Sequence, residues 1–337
     1  MTTTINIMKR VRIPAITLLV LLTAMAGMSS AVTVNLRADT TTVTMPDGRL
    51  VTMWGFAEDS SFGAEDGTVM VPGPPIDVPV GDTLSIVLDN NLPEPVSIVI
   101  PGQLEAGGMA PVWNAGKVRS FTHETAPGNT VPGTTNTYTW TNLRPGTYLY
   151  QSGSHPAVQV QMGLYGMAKK NAAAGEAYSG IGFNSDIAVL YSEIDVNLHD
   201  AVASGAYGSG TAMTSTVNYM PEYFLVNGNP YSAAALPLNG DAVNGGVAVS
   251  STDTVLIRFL NAGIMSHNPI IHGYNVSVIA EDGYAYNSAH SQYSVDLPAG
   301  KTKDVLLSAP SAGNIPIYDA AMHLATAPAR RADFWHT

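Results

Sequence analysis

Residues 71–93, VPGPPIDVPVGDTLSIVLDNNLP, alternate short apolar runs with turn residues. Asp77 to Val80 and Leu84 to Leu88 have the spacing of strands, and Gly81-Asp82 between them marks a turn. Helix is disfavoured here and nearly everywhere else in the chain. The stretch therefore predicts β structure built from short strands.

Similar runs lie on both sides of this stretch, at a spacing typical of β-sandwiches. In the first half they are Thr42 to Thr44, Leu50 to Trp54, Val96 to Ile100, Thr137 to Trp140 and Thr147 to Tyr150. In the second half they are Ile187 to Ile194, Tyr223 to Val226, Val247 to Val249, Thr254 to Phe259, Val276 to Ile279, Tyr293 to Val295 and Asp304 to Leu307. Together they predict an all-β protein with two sandwich domains.

Length and charge restrict the function. The 337 residues suffice for two domains once a processed segment is removed. The net charge of −11, from 15 Lys and Arg against 26 Asp and Glu, would repel a polyphosphate backbone, so no nucleic-acid partner is expected. The chain has no cysteine and can form neither a disulfide nor a thiolate metal ligand.

The amino-terminal residues predict a signal peptide over residues 1–31. Three basic residues, at positions 9, 10 and 12, precede an apolar run from Ile13 to about Met25, and Ser29 and Ala31 are small residues suited to cleavage. A membrane anchor is the alternative, but the run is shorter than the roughly 20 residues that a spanning helix needs. We expect export to the bacterial periplasm or beyond, with no membrane span after cleavage.

The order of motifs in the first half resembles a known family. Residues 71–76 (VPGPPI), 81–83 (GDT) and 90–93 (NNLP) resemble the first cupredoxin domain of multicopper oxidases. Residues 144–150 (RPGTYLY) and 161–166 (QMGLYG) are similar to the closing strands of that domain.

The second half continues the resemblance. Residues 257–263 (IRFLNAG), 271–283 (IHGYNVSVIAEDG) and 297–307 (LPAGKTKDVLL) are similar to the second cupredoxin domain. The resemblance implies two tandem cupredoxin-like Greek-key β-sandwich domains, over residues 32–170 and 186–325.

Two further segments are assigned by composition. Residues 171–185 begin with a small, polar, Gly- and Ala-rich run without an apolar period, which predicts a linker or surface loop. Residues 326–337 form an irregular tail with no strand period. A frameshift or truncation at this point would delete a third, copper-bearing domain; a natural disordered tail is the alternative.

Copper is the cofactor that the resemblance implies. The family has a blue copper site that accepts electrons and a three-copper cluster that reduces dioxygen to water. A blue site needs two imidazoles and a thiolate, and this chain has no thiolate, so we expect no blue copper within it. The cluster is held by His-x-His pairs, but no two of the eight histidines are separated by one residue.

His155 is the one metal ligand that the resemblance offers. The first His-x-His pair of the family would fall at residues 99–102 (VIPG), and the second is represented at best by His155 in residues 151–155 (QSGSH). A single imidazole cannot hold copper tightly, so no copper is expected to bind tightly to this chain. A hydrogen-bonded loop histidine is the alternative.

No other residue carries a catalytic motif. His267 and His272 lie in an apolar, strand-like stretch that predicts core packing, and Met162 is expected in the core rather than as an axial ligand. Glu281-Asp282 is interpreted as a turn before Gly283. The histidines at positions 123, 199 and 290 lie beside turn residues and carry no motif. We predict no catalytic residues and no cofactor-binding residues.

Three hypotheses follow. The first is an exported multicopper-oxidase-like protein, incomplete and inactive alone, whose copper sites need a missing third cupredoxin domain or an oligomer partner. The second is a non-catalytic cupredoxin scaffold or interaction module of the cell envelope. A nitrite-reductase-like two-domain protein is the third, and the missing thiolate argues against it.

Overall fold

The computed structural model describes residues 30–108, 110–128, 136–230, 250–308, 310 and 315–322. The signal peptide up to residue 29, the predicted strand at 247–249, the tail at 326–337, and His323 and His336 lie outside these ranges. Within them, no helix has the length and apolar character needed to cross a membrane.

The first half of the chain forms two sheets and a hairpin. Its elements are β1 (Ala31–Thr44), β2 (Leu50–Asp59), β3 (Gly73–Val78), β4 (Thr83–Asn90), β5 (Val112–Asn114), β6 (Lys117–Ser120), β7 (Thr137–Trp140), β8 (Gly146–Gln151), α1 (Pro156–Met162) and β9 (Tyr165–Lys170). One sheet has the order β2-β1-β4-β7, the other has the order β3-β9-β8, and β5 pairs with β6.

The core of this half is built from both sheets. Leu84, Ile86 and Leu88, alternate residues of β4, are buried and share one cluster with Ile76 of β3 and Tyr150 of β8. Successive side chains of a strand point to opposite faces, so the alternation in the sequence turns every second residue inward. The predicted strand pattern is therefore the pattern of the core.

The second half is organised around one larger sheet. Its elements are β10 (Glu176–Tyr178), β11 (Ile181–Gly182), β12 (Ser185–Ile194), α2 (Val196–Ala203), β13 (Tyr223–Val226), β14 (Asn229–Pro230), β15 (Thr254–Asn261), β16 (Pro269–Ile271), β17 (Val276–Glu281), β18 (Tyr284–Gln292), β19 (Thr302–Ser308) and β20 (Ile317–Asp319). The large sheet has the order β14-β13-β12-β15-β19-β17-β18, and β16 pairs with β20.

The two halves repeat one arrangement. β1 runs parallel to β4, and this pair is flanked by β2 and β7. In the same way β12 runs parallel to β15, and this pair is flanked by β13 and β19. Asn90 ends β4 and Asn261 ends β15, and both side chains are fully buried. Each donates to the carbonyl four residues later and to one distant carbonyl, and accepts from the amide two residues later. The predicted pair of all-β domains is confirmed.

The segment predicted as a linker has more structure than its composition indicated. β10 and β11 form a short hairpin in which Ala177 and Tyr178 are buried against Leu256 and Ile279 of the second half. The hydroxyl of Tyr178 donates to Oδ2 of Asp304 at 2.6 Å. Sequence alone could not show this, because the burying surface comes from distant strands.

A helix replaces part of a predicted strand. We expected Gln161 and Met162 to begin a closing strand, but they end α1, which starts with Pro156, and β9 begins only at Tyr165. Proline is favoured in the first turn of a helix, where its missing N–H costs nothing. Met162 is fully buried in the core, as predicted.

A completely buried arginine joins the halves. The guanidinium of Arg258, on β15, donates to Thr147 Oγ1 and Asn171 Oδ1 at 2.8 Å and to Asp186 Oδ2 at 2.9 Å. Because Thr147 lies on β8 of the first half, this side chain hydrogen-bonds across the boundary. Thr302 of β19 makes a second such link, donating to the carbonyl of Thr147 at 2.8 Å.

Tyr150 occupies a space that two glycines leave open. Its ring is fully buried and its hydroxyl donates to the carbonyl of Pro74 at 2.8 Å. Gly73 and Gly166 are partners in the pairing of β3 and β9, and a Cβ on either would lie 2.4 Å from the Tyr150 side chain. The sheet can close over this ring only where the facing residues have no side chain.

A buried histidine between two carboxylates lies in the second half. Nε2 of His267 is 3.0 Å from Oε1 of Glu193, and Nδ1 is 2.7 Å from Oδ2 of Asp319. His267 is only 1% exposed. Oε2 of Glu193 also accepts from the main-chain N–H of Ile264 and from the hydroxyl of Tyr219. His267 is thus a satisfied core histidine, as the apolar stretch around it predicted.

The hydrogen bonds in this cluster favour its charged forms. Burial opposes a charge on His267, but the hydrogen bonds to Asp319 and Glu193 outweigh it and raise the pKa of His267 above 6.5. Burial likewise opposes a charge on Asp319, but the bonds from His267 and the main chain lower the pKa of Asp319 to about 2. The cluster therefore favours the imidazolium form of His267 and the carboxylate form of Asp319.

We expect Gly166→Ala to lower the free energy of unfolding by about 1–3 kcal/mol, because the new methyl group must displace the Tyr150 ring. The matched control is Gly182→Ala, where the nearest atom to an added Cβ is 3.7 Å away. Chemical denaturation of both variants measures the difference. Equal stabilities would contradict the close packing around Tyr150.

We expect His267→Gln to cost about 3–5 kcal/mol, since it leaves buried carboxylates without their partner. A histidine whose pKa is raised by folding contributes stability that is fully present below its unfolded pKa of 6.5. This stability is lost as the pH rises through the raised pKa of the folded state. A lowered aspartate pKa contributes stability that is present above 3.8 and is lost as the pH falls towards 2. The cost should therefore be largest between 3.8 and 6.5.

Denaturation of wild type and variant across this pH range measures the cost. His290→Gln, at an exposed position of β18, is the control and should leave the free energy of unfolding unchanged. A cost for His267→Gln that does not vary with pH would contradict the charged pair.

Candidate functional site

The two segments where the family would place its first His-x-His pairs lie side by side. Val99 and Gln151 form a bridge in which each main-chain N–H donates to the other's carbonyl at 2.9 Å. Residues 99–102 and 151–155 thus meet at their first residues, although about 50 residues separate them in the sequence; beyond this antiparallel bridge they run in opposite directions. Neither Val99 nor Gln151 carries an imidazole.

The space between these segments is filled by packing. A Cβ on Gly153 would lie 2.6 Å from Cγ1 of Val99 and 3.0 Å from Oγ of Ser97. Val99 is 9% exposed and Ser97 is fully buried. A side chain at position 153 would therefore require Val99 to move.

Serine hydroxyls beside Val99 satisfy one another. Oγ of Ser97 is 3.0 Å from Oγ of Ser120 and also 3.0 Å from Oγ of Ser154. Ser152 donates to Oε1 of Gln159 on α1 at 2.7 Å. None of these five residues is more than 1% exposed. These groups form a closed hydrogen-bond network, in which every hydroxyl has a protein partner.

The hairpin of β5 and β6 covers this network. Ser120 and Ser154 form a bridge, and the main-chain N–H of Phe121 donates to the carbonyl of Gly153 at 3.2 Å. Trp113 is 63% exposed and Phe121 is 50% exposed, so the hairpin presents aromatic side chains to the outside. Their chemistry suits contact with another surface.

His155 lies at the edge of this hairpin. Its backbone has a φ of 42°, in the left-handed region, and its main-chain N–H donates to the carbonyl of Arg119 at 2.8 Å. Its ring centroid is 5.8 Å from that of Tyr207. In the described ranges no group of three or more His, Asp or Glu side chains is placed to hold a metal ion. That His155 is a metal ligand stays a prediction.

A charged pair next to His155 was not predicted. Nε of Arg119 lies 3.2 and 3.1 Å from the two carboxylate oxygens of Glu124. The hydrogen bond to Glu124 raises the pKa of Arg119 above its ordinary value despite partial desolvation. Nearby, Gln159 donates to Glu94 at 3.3 Å. Such pairs carry no sequence motif, so only the fold reveals them.

The other histidines lie in different surroundings. His199, on α2, is fully buried with Nδ1 2.8 Å from the carbonyl of Thr52 and Nε2 3.1 Å from that of Gln161, and burial lowers its pKa. His123 is half-buried and stacks on Tyr138, with a centroid distance of 4.2 Å.

The core prediction for His272 is wrong. His272 is exposed, because it follows the last residue of β16 and precedes Gly273, which adopts a φ of 81° in a turn. His290 is also exposed.

The predicted turn at Glu281-Asp282 is confirmed, with Asp282 in the left-handed region at a φ of 50°. Both carboxylates form ion pairs with Lys301. The turn rotates Asp282 out of the strand alternation. The carboxylates therefore stabilise a turn, and they lie outside the converging segments.

Comparisons with known proteins agree with the all-β architecture of the two halves. Two family models, both described as multicopper oxidase, match residues 66–169 and residues 196–330. No curated protein matches significantly.

Among solved structures, the blue copper oxidase from Nitrosomonas europaea is 19% identical with a TM-score of 0.65, over 87% of this chain and 80% of that chain. The copper nitrite reductase from Nitrosomonas europaea is 20% identical with a TM-score of 0.63, over 88% and 91%. The laccase from Botrytis aclada is 22% identical with a TM-score of 0.58, over 87% and 49%.

The cupredoxin-like architecture predicted for both halves is thereby confirmed. With two family models matching most of its described length and this shared architecture, the chain belongs to the multicopper oxidase family.

Proposed function

We propose that this protein is an exported member of the multicopper oxidase family that has no blue or three-copper site of its own. The observation that carries the proposal is the donor set: the 337 residues contain no cysteine, and where the two segments meet they present Val99, Gln151 and Gly153, with His155 as their one imidazole. A hydrocarbon, an amide and a glycine do not fit copper.

The missing thiolate decides the electron-accepting site. A blue copper site depends on the copper–sulfur bond for its geometry and redox behaviour. Gln151 follows Tyr150 at the end of β8, and a neutral amide cannot replace a thiolate. Without this site, the chain alone has no group that accepts electrons from a substrate in the way the family does.

The packing around Val99 argues against a vacant cluster site. An empty ligand site would leave buried polar atoms without partners, or a gap. Here Val99 closes on Gly153, and the hydroxyls of Ser97, Ser120 and Ser154 bond to one another. The fold is therefore complete at this place without copper.

Copper chemistry would then require a further cupredoxin domain. In this proposal the chain is the incomplete part of an exported oxidase, and a third domain or an oligomer partner supplies the cysteine and the paired histidines. The predicted signal peptide supports export, to the periplasm or outside the cell.

A non-catalytic scaffold of the cell envelope is the second candidate, favoured by the outer face of the β5–β6 hairpin. Trp113, Val118 and Phe121 are 63%, 40% and 50% exposed there. For this face we propose a second copy of the chain as the occupant.

We expect the purified mature chain, incubated with copper and then desalted, to be colourless and to retain far less than one copper per molecule. Elemental analysis and visible absorption measure this, with His155→Ala as the matched comparison. Identical traces of copper in both proteins are expected. One or more tightly bound copper ions per chain, with an intense visible band, would contradict the donor-set argument.

We expect the chain to self-associate through the hairpin, because exposed aromatic side chains gain by burial against a second surface. Trp113→Ser combined with Phe121→Ser should shift the sedimenting species to the monomer in analytical ultracentrifugation. Leu50→Ser, which removes an equally exposed side chain from β2, is the control and should not. A monomeric wild type, or an oligomer unaffected by the double substitution, would refute this occupant.

A further inference from the structure

A cavity in the first half is lined by a glutamate, one of whose carboxylate oxygens is buried and has no partner among the described residues. The cavity has a volume of about 600 Å³ and is lined by, among others, Gln103, Leu104, Glu105, Asn142 and Arg144. This volume lies within the range of small-molecule sites. It is formed by the loop after residues 99–102 and the loop between β7 and β8.

Glu105 is held rigidly in the wall of this cavity. The residue is 6% exposed, and its Oε1 accepts from the main-chain N–H groups of Gly107 and Thr139 at 3.0 and 3.1 Å. Its Oε2 is buried and has no hydrogen-bond partner in the described part of the chain. Buried carboxylate oxygens normally have donors, so this atom is suited to a donor brought by a ligand.

A glycine lies against Oε2 of Glu105. A Cβ on Gly107 would lie 3.0 Å from Oε2 of Glu105. Any larger residue at position 107 would place a hydrocarbon against this oxygen. The sequence thus has a glycine where any side chain would press against Oε2.

Arg144 brings the opposite charge to the same cavity. Its guanidinium lies over the Tyr284 ring, 3.9 Å from the centroid, and Nη2 donates to the carbonyl of Gly102 at 3.3 Å. These contacts fix the group while leaving further N–H groups for a ligand.

We propose that this cavity binds a small zwitterion, an amino acid or a dipeptide. The ligand ammonium donates to Oε2 of Glu105, and the ligand carboxylate accepts from the guanidinium of Arg144. Leu104, which is 74% exposed, provides an apolar wall for an aliphatic side chain. This site involves neither copper nor the hairpin face, so it is independent of the proposed function.

The test uses probes that differ in one charge. Isothermal titration of the full mature chain with L-leucine and with L-leucylglycine should show saturable binding of at least one of them. Compared with L-leucine, 3-methylbutylamine lacks the carboxylate and 4-methylpentanoate lacks the ammonium, so both should bind at least tenfold more weakly than the zwitterion that binds.

Glu105→Gln keeps an acceptor for Gly107 and Thr139 but places an amide at Oε2. It should therefore fold normally, as judged by circular dichroism, and lose at least tenfold in affinity. Arg144→Gln should do the same. Glu58→Gln, at an exposed position of β2, is the control and should bind like wild type. No binding of either zwitterion, or binding unchanged in Glu105→Gln, would overturn the proposal.

Discussion

Arg258 is fully buried at the junction of the two halves. The packing of the halves depends on the acceptors that hydrogen-bond its charged guanidinium. Taking a guanidinium out of water is costly, and the cost is offset only when its N–H groups find acceptors. Thr147, Asn171 and Asp186 provide them from three different segments. Burial raises the pKa of nearby Asp304, whose Oδ2 accepts from Tyr178. Arg258 thereby couples the first half, the connecting segment at Asn171 and the large sheet.

The strand framework could be predicted from the sequence because its signal is local. Alternating residues such as Leu84, Ile86 and Leu88 show their inward face directly, and the absence of cysteine limits the metal chemistry without any coordinates. The resemblance to cupredoxin domains also located residues 99–102 and 151–155, which the fold brings together.

Features that depend on distant partners could not be predicted. His267 is 74 residues from Glu193 and 52 from Asp319, so nothing in the sequence near it specifies a charged cluster. The burial of Tyr178 was hidden for the same reason, because small polar neighbours surround it in the sequence while the apolar surface lies on β15 and β17. Glu105 has no motif at all, and only the cavity makes it conspicuous.

The docked hairpin of β10 and β11 has a mechanical consequence. Connections between domains are commonly where a chain bends and where proteases cut. Here the connection is anchored by a buried tyrosine, so swinging one half against the other would first pull that ring out of its apolar contacts. The two halves should therefore tumble in solution as one particle. A protease that cleaves exposed interdomain connections would meet folded backbone here.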